Sequence, residues 1–435
     1  MSSFMQEPLA QAARRAPHWL QSLQARGLSL WEASSLPTRR TENWKYTSLA
    51  GLRQDYQLAE PGIEPLEALP DALAVDFAGP RLVFVDGVYQ AALSHMSLPE
   101  GMQLCRFDEA SDTQSEQIAE HLNSSLDVED HVFATLNTAT LRDGVFLSIA
   151  RNANCADPVH ILWLVRAADA PTAINQRLLV LAGEGSKSCV IEQFASLESA
   201  RPSFCNGVSE LLLAPNAQLS HYRLQEESGD AVHIGAVHAR LDRDSRLASF
   251  HLGLGSVLKR VDIVINYAGP GAHADLNGVY LPQGDEHIDY HSTVEHAVPH
   301  CTTDEVFRGI IADRATAVFN GRIHIHPNAQ KTRAELSNRN LLTSAEATVN
   351  SKPELEIYAD DVQCAHGATV AQLDALALHY LRTRGVSADE AKVLLSFGFI
   401  NELIEELELD ALRDYLRPML ASRFARDPEL ARHLL

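Results

Sequence analysis

The segment Asp360-Asp-Val-Gln-Cys-Ala-His-Gly-Ala-Thr369 holds the residues best suited to chemistry in this chain of 435 residues. If it forms a strand, Cys364 and His366 point to the same side, because side chains alternate along a strand. A thiolate and an imidazole are ligands of iron, zinc and iron–sulfur centres. Two ligands do not close a four-coordinate site. The others would come from distant residues or from another chain, or the site would stay open. The same residues also read as a buried cysteine beside a surface histidine.

A second polar set is Asp285, His287, Asp289 and His291, which share one face of a strand. Carboxylates facing each other would suit a polysaccharide-acting enzyme, and a solvated face explains the same stripe. Histidines are dense here: His287, His291, His296, His300, His324 and His326. In Arg322-Ile-His-Ile-His326 the two imidazoles share a face about 7 Å apart at the backbone, a spacing that can suit a metal. Such a chain could also be a standalone metal-binding protein. Gly183-Glu-Gly-Ser-Lys-Ser188 is not a phosphate loop. Leu181 and Ser186 occupy its two glycine positions, and it lies between strands rather than before a helix. There is no G-x-S-x-G nucleophile elbow.

Composition narrows the classes. Lysine and arginine total 36 against 57 acidic residues, a net charge of −21, which argues against wrapping nucleic acid. No run approaches the roughly 18 apolar residues of a membrane span. The N-terminal MSSFMQEPLAQAARRAPHWL has neither an apolar signal core nor a small-residue cleavage site, so a cytoplasmic location is expected. The cysteines at 105, 155, 189, 205, 301 and 364 form no CxxC pair and no secreted-type framework. Most are expected to be small buried apolar residues.

Three regions position these residues: 1–142, helical and mixed; 143–370, all β; and 371–435, helical. Residues 6–26 have a helical period, residues 59–80 read as a loose connection, and Asp86-Gly87 between two apolar runs signals a hairpin. From about 143, short β-rich runs follow one another: Val145–Ile149, Val159–Val165, Arg177–Leu181, Cys189–Phe194 and Ser209–Leu213. Small residues recur after turn formers at Ser186, Ala217, Ser245, Ala272, Ala315, Ala329 and Ala347, with gaps of 31, 28, 27, 43, 14 and 18. A repeat near 28, sometimes halved, predicts a β-solenoid whose coils bury their apolar faces by stacking. A β-sandwich with ordinary turns is the alternative. Helical segments on both sides suit a solenoid with covered ends. After about 370 the helical period returns. Ser387-Ala-Asp-Glu390 is a capping box opening a helix with the stripe Val393, Phe397, Ile400, Ile404 and Leu407, and Asp410 suits the start of a last helix. These helices bury their apolar surface among themselves or offer part of it to another protein.

The stretch Lys352-Pro-Glu-Leu-Glu-Ile-Tyr-Ala-Asp-Asp-Val-Gln-Cys-Ala-His-Gly-Ala-Thr-Val370 resembles the SufB/SufD family of iron–sulfur cluster assembly proteins. So do Tyr380-Leu-Arg-Thr-Arg-Gly-Val386, Pro37-Thr-Arg-Arg40 with Trp44-Lys-Tyr46, and Asn338-Arg-Asn-Leu-Leu342. Cys364-Ala-His366-Gly-Ala-Thr is similar to the SufD form, whereas SufB carries an acidic residue and H-E-A-T there. The resemblance implies a right-handed parallel β-helix with helical domains at both ends and a non-catalytic scaffold role. It implies pairing with SufB through the C-terminal edge of the β-helix, and the SufC ATPase on the C-terminal helices, with no nucleotide held by this chain. It further implies that His366, with Cys364 beside it, lies where a nascent iron–sulfur cluster forms at the interface with SufB and takes part in iron acquisition. Tyr380, Arg384, Gly385, Phe397 and Phe399 are implied as SufC-binding positions, and a homodimer is an expectation for the isolated chain.

Overall fold

In a computed structural model the described residues are 4–424, apart from 15, 54, 60–64, 74, 76, 127–130, 167–169 and 198–201. Residues 60–64 of the expected loose connection and 425–435 of the expected C-terminal region lie outside them. Sixteen strands from Val145 to Gln372 wind as a parallel β-solenoid with two strands per coil. The first strand of each coil stacks in one sheet, from Val145–Ile149 to Thr348–Ile357; the second stacks in the other, from Asn154–Val165 to Gln363–Gln372. Call these the odd and even sheets. Along the even sheet Lys187, Gln218, Arg246, His273, Thr302, Arg333 and Gln363 stack in register, so these coils advance by 27 to 31 residues. Parallel pairing throughout this stretch excludes the sandwich.

The corners explain the uneven repeat. Where an odd strand turns into an even one, a left-handed residue precedes a small or short buried one. The pairs are Gly185-Ser186, Asn216-Ala217, Asp244-Ser245, Gly271-Ala272, His300-Cys301 and Lys331-Thr332. Glycine, asparagine and aspartate tolerate that backbone best. Cys301 is thus the corner residue that the marker set passes over in its gap of 43. Ala315 and Ala347 belong to the opposite corner of the coil, which produces the halved spacings.

Both sheet faces are covered over much of the solenoid. The odd sheet carries the N-terminal layer: Phe4, Trp44, Tyr56, Phe133 and Leu136 pack on Phe204, Val232 and Ile234. The expected helix at 6–26 is two helices, Gln6–Ala13 and Gln21–Ala33, because Pro17 interrupts the run and opens a single 3-10 turn at His18–Leu20. The hairpin forms as expected, with Val85 paired to Val88 around left-handed Asp86 and Gly87. The even sheet carries the C-terminal helices Ala388–Glu405 and Asp410–Phe424. Their stripe of Phe397, Ile400, Ile404, Leu407, Leu412 and Leu416 packs on outward Tyr222, Leu224, Phe250 and Leu252. Ser387 and Glu390 form the reciprocal cap. So the apolar surface of these two helices is buried mainly against the solenoid's flank. The helices do not extend over the last coil, whose strands stay half-buried to exposed.

Candidate functional site

The last coil leaves two open strand edges. Among the described residues Thr348–Ile357 pairs only with Thr316–Ile325, and Gln363–Gln372 only with Arg333–Leu342. An open edge is a row of unpaired backbone groups able to pair with another chain. The two edges are guarded differently. The odd edge carries Lys352, Pro353, Glu354 and Glu356, with Lys352 reaching Glu42 at 3.0 Å. Proline and charge discourage edge pairing. The even edge, Gln-Cys-Ala-His-Gly-Ala-Thr-Val-Ala-Gln, holds neither a proline nor an Asp, Glu, Lys or Arg.

Cys364 and His366 lie on this even edge, in register with Ala334 and Leu336. Both partners are buried in the column between the sheets. Cys364 and His366 therefore share the inward face, as alternation requires, and terminate the core column at its open end. Cys364 packs partly against the core; burial pushes its thiol up, opposed by a backbone hydrogen bond at Ala334. His366 is exposed. The turn before the strand is fixed by Lys331, whose N–H donates to the Asp361 carbonyl at 2.6 Å and whose ammonium pairs with the Asp361 carboxylate. An imidazole and a nearby thiol thus share the inward face of an open strand, with no strand of the described residues paired beyond them.

The other candidates separate. Asp285 is in a turn, exposed, and its hydrogen bond to Arg314 holds it below the usual carboxylate range. Asp289 is buried under the segment carrying Trp44. Burial opposes its charge, but His291 at 2.9 Å and Arg260 at 2.7 Å outweigh this and hold it well below the usual range. His287 bonds Thr47 at 3.0 Å, so the part of this polar stripe from His287 to His291 is covered, while Asp285 stays solvated. His296 is buried, stacked on Tyr267 and bonded to Thr303 at 2.9 Å; burial holds it down to about 3. His300 is an exposed corner residue. His324 and His326 converge on Glu295. Of the C-terminal candidates, Tyr380 is 58% exposed on helix Ala375–Thr383, with the Arg384 guanidinium 5.2 Å from its ring centre. Gly385 ends that helix with φ +92, a conformation suited to glycine. Phe397 is buried against the solenoid. The Phe399 carbonyl accepts from Arg308 at 2.7 Å.

Sequence reading misses a polar spine inside the solenoid. Arg223 lies between the sheets, 4.3 Å from the centre of the Phe194 ring, and donates to Glu192 and Ser209, each at 3.1 Å. His221 bonds the same Glu192 oxygen at 3.0 Å. Lys259 donates to the carbonyls of Gln225 and Glu227 at 2.9 and 2.8 Å. Burial opposes the charge of Glu192, yet Arg223, His221 and Ser209 hold its carboxyl down to about 2. The only sequence signal is alternation: His221, Arg223 and Gln225 share one face of Gln218–Glu226.

Comparison with known proteins agrees with this architecture. Residues 164–399 match the SUF system FeS cluster assembly SufBD core domain, and residues 3–161 match the SufBD protein N-terminal region. The chain is 32% identical over 418 residues to the iron–sulfur cluster assembly protein SufD of Escherichia coli, covering 95% of this chain and 94% of that one. It is 32% identical over 397 residues to an iron–sulfur cluster assembly SufBD family protein of Synechocystis, covering 89% and 87%. SufD of Bacillus subtilis is 25% identical over 418 residues, covering 92% and 93%. With both family regions matched across a β-solenoid that carries helices at either terminus, the chain belongs to the SufBD family of the SUF iron–sulfur cluster assembly system.

Proposed function

We propose that this chain is a SufD-like scaffold subunit that pairs with SufB through its open coil, binds the SufC ATPase through its C-terminal helices, and contributes to the site of a nascent iron–sulfur cluster. The observation that carries this reading is the unguarded even edge with Cys364 and His366 on its inward face. A partner strand added there would continue the sheet and bring its own ligands to the half-site. The partner's ligands and His366 would then share the cluster, which is cargo rather than a resident cofactor. His366 is the leading ligand because it is exposed. Cys364 is the weaker one, because burial opposes its thiolate. Metal binding needs the imidazole neutral.

Helix Ala375–Thr383 supports the SufC reading. It has no buried residue, and Leu376 and Tyr380 are 78% and 58% exposed. Tyr380 and Arg384 are therefore better contact candidates than Phe397, which the solenoid already covers. The chain acts as a scaffold without catalysis of its own, with iron delivered at His366 once SufC hydrolysis loosens the SufB pairing. No helix among the described residues is long and apolar enough to cross a membrane; we place the complex in the cytoplasm. In isolation, the same unguarded edge suits a homodimer.

Co-expression with SufB and SufC tests the reading. The three chains are expected to co-purify and to reconstitute a cluster, read by visible absorption. His366→Ala should lower cluster yield while the complex still assembles. Failure of SufB to co-purify overturns the pairing, and a normal yield from His366→Ala overturns the ligand role.

A further inference from the structure

His324 and His326 face outward at the end of strand Thr316–Ile325, because the alternating Ile323 and Ile325 are buried in the core. On the neighbouring strand Glu295 stands in register with His324. His324 Nδ1 lies 2.7 Å, and His326 Nε2 2.8 Å, from the same oxygen, Glu295 Oε2. The other oxygen, Oε1, accepts from Arg322 at 3.0 Å, and Arg322 also holds Glu356 through two bonds of 2.8 and 3.0 Å. The carboxylate is thus oriented from behind while its free oxygen faces two ring nitrogens. All three donor atoms lie within 4.8 Å of one another.

We propose that Glu295, His324 and His326 bind one divalent transition-metal ion of the zinc, cobalt or ferrous class. Two imidazoles and one carboxylate are a donor set that such ions prefer, with the remaining positions left to water. Bonds of about 2.1 Å at the tetrahedral angle place neighbouring ligands about 3.4 Å apart, so the two oxygen–nitrogen separations of 2.7 and 2.8 Å need to open by well under 1 Å. Arg322 supplies the outer hydrogen bond that fixes a ligating carboxylate. His326 has 40% of its side chain exposed, which gives an ion a path from solvent. The site is independent of the reading made for His366: these histidines are on the outer face of the odd sheet, and His366 is on the inward face of the even one.

The test titrates the full-length, chelator-treated chain with Co(II), followed by calorimetry and visible absorption. One ion per chain is expected at this site. Glu295→Gln, His324→Ala and His326→Ala should each weaken it by about tenfold or more, with circular dichroism and melting unchanged. His366→Ala should leave this affinity as it is. In the unsubstituted chain, stoichiometric Zn(II) should protect His324 and His326 from diethyl pyrocarbonate, read by mass spectrometry. The proposal is overturned by affinity that survives the three substitutions, by affinity lost in His366→Ala, or by equal modification with and without Zn(II).

Discussion

Glu305 gives the sharpest test of the solenoid interior. It points into the core column from strand Thr302–Ile311, in register between Leu276 and Leu336 of the neighbouring coils. Its Oε1 accepts from Ser292 at 2.5 Å, and its Oε2 has no partner among the described residues. Burial pushes this carboxyl up from 4.5 to about 7, against a smaller opposing effect from the Ser292 bond. Because the folded value is raised, the folded chain keeps its proton where the unfolded chain has lost it. Stability from this group is full below pH 4.5, falls as pH rises toward 7, and is constant above. One pH unit of that interval costs about 1.4 kcal/mol, so the whole interval costs roughly 3 to 4 kcal/mol. Glu305→Gln keeps the size and the Ser292 acceptor and removes the titration. Urea denaturation of both chains from pH 4 to 8 should show the variant gaining on the parent by roughly 3 to 4 kcal/mol between pH 4.5 and 7, whatever constant offset the amide adds. Other buried groups, such as Glu226, held up to about 7, and His296, held down to about 3, titrate in both chains and cancel in the difference. A stability difference that does not change with pH would refute the argument that desolvation dominates at Glu305.

Three further outcomes follow from the packing. Glu192→Gln leaves the fully buried Arg223 without its counter-charge and should cost about 3–5 kcal/mol in chemical denaturation; a cost below about 1 kcal/mol would contradict the reading of the spine. Ile404→Ala removes a fully buried side chain from the seam between the C-terminal helices and the even sheet. It should cost about 2–5 kcal/mol and speed proteolysis between residues 373 and 410, and unchanged protection would show that other contacts hold the helices. His300→Asn places a residue better suited to left-handed backbone at an exposed corner with φ 64. It should stabilise by up to about 1 kcal/mol, and a lower melting temperature would mean that the imidazole makes a contact worth more than the strain.

The repeat was legible because corner geometry constrains residue type. A left-handed turn residue followed by a small buried one recurs at Gly185-Ser186, Asn216-Ala217 and Asp244-Ser245. Its phase was not legible, because both corners of a coil use the same chemistry, and His300-Cys301 and Lys331-Thr332 fill the same place with residues that carry no turn signal. The interior was not legible for a deeper reason. Alternation is normally taken as apolar in and polar out. In Gln218–Glu226 the polar His221, Arg223 and Gln225 face inward, while Tyr222 and Leu224 face outward to meet the C-terminal helices. A strand buried on both faces has no solvent side to set the phase, so pattern alone would place Arg223 on the surface.

The same docking explains what the sequence could and could not say about Cys364 and His366. Their shared face followed from alternation, and the role proposed for them rests on resemblance. That they end the core column depends on where the helices go. Had Ala388–Glu405 and Asp410–Phe424 folded over the last coil, these side chains would have been sealed under Phe397 and Ile404. Instead those residues join one apolar cluster with outward residues of the even sheet, from Tyr222 and Phe250 to Ile310 and Leu341, on the flank of the solenoid. Burying that flank stabilises the helices on the side of the solenoid and leaves Gln363–Gln372, among the described residues, with a strand neighbour on one side alone. The absence of Asp, Glu, Lys, Arg and proline there, beside an odd edge guarded by Lys352, Pro353 and Glu354, then has a physical reading. One edge is kept from indiscriminate pairing while the other, carrying Cys364 and His366, is left able to accept a strand. In this fold the docking of the C-terminal helices on the flank leaves the edge that carries Cys364 and His366 uncovered among the described residues.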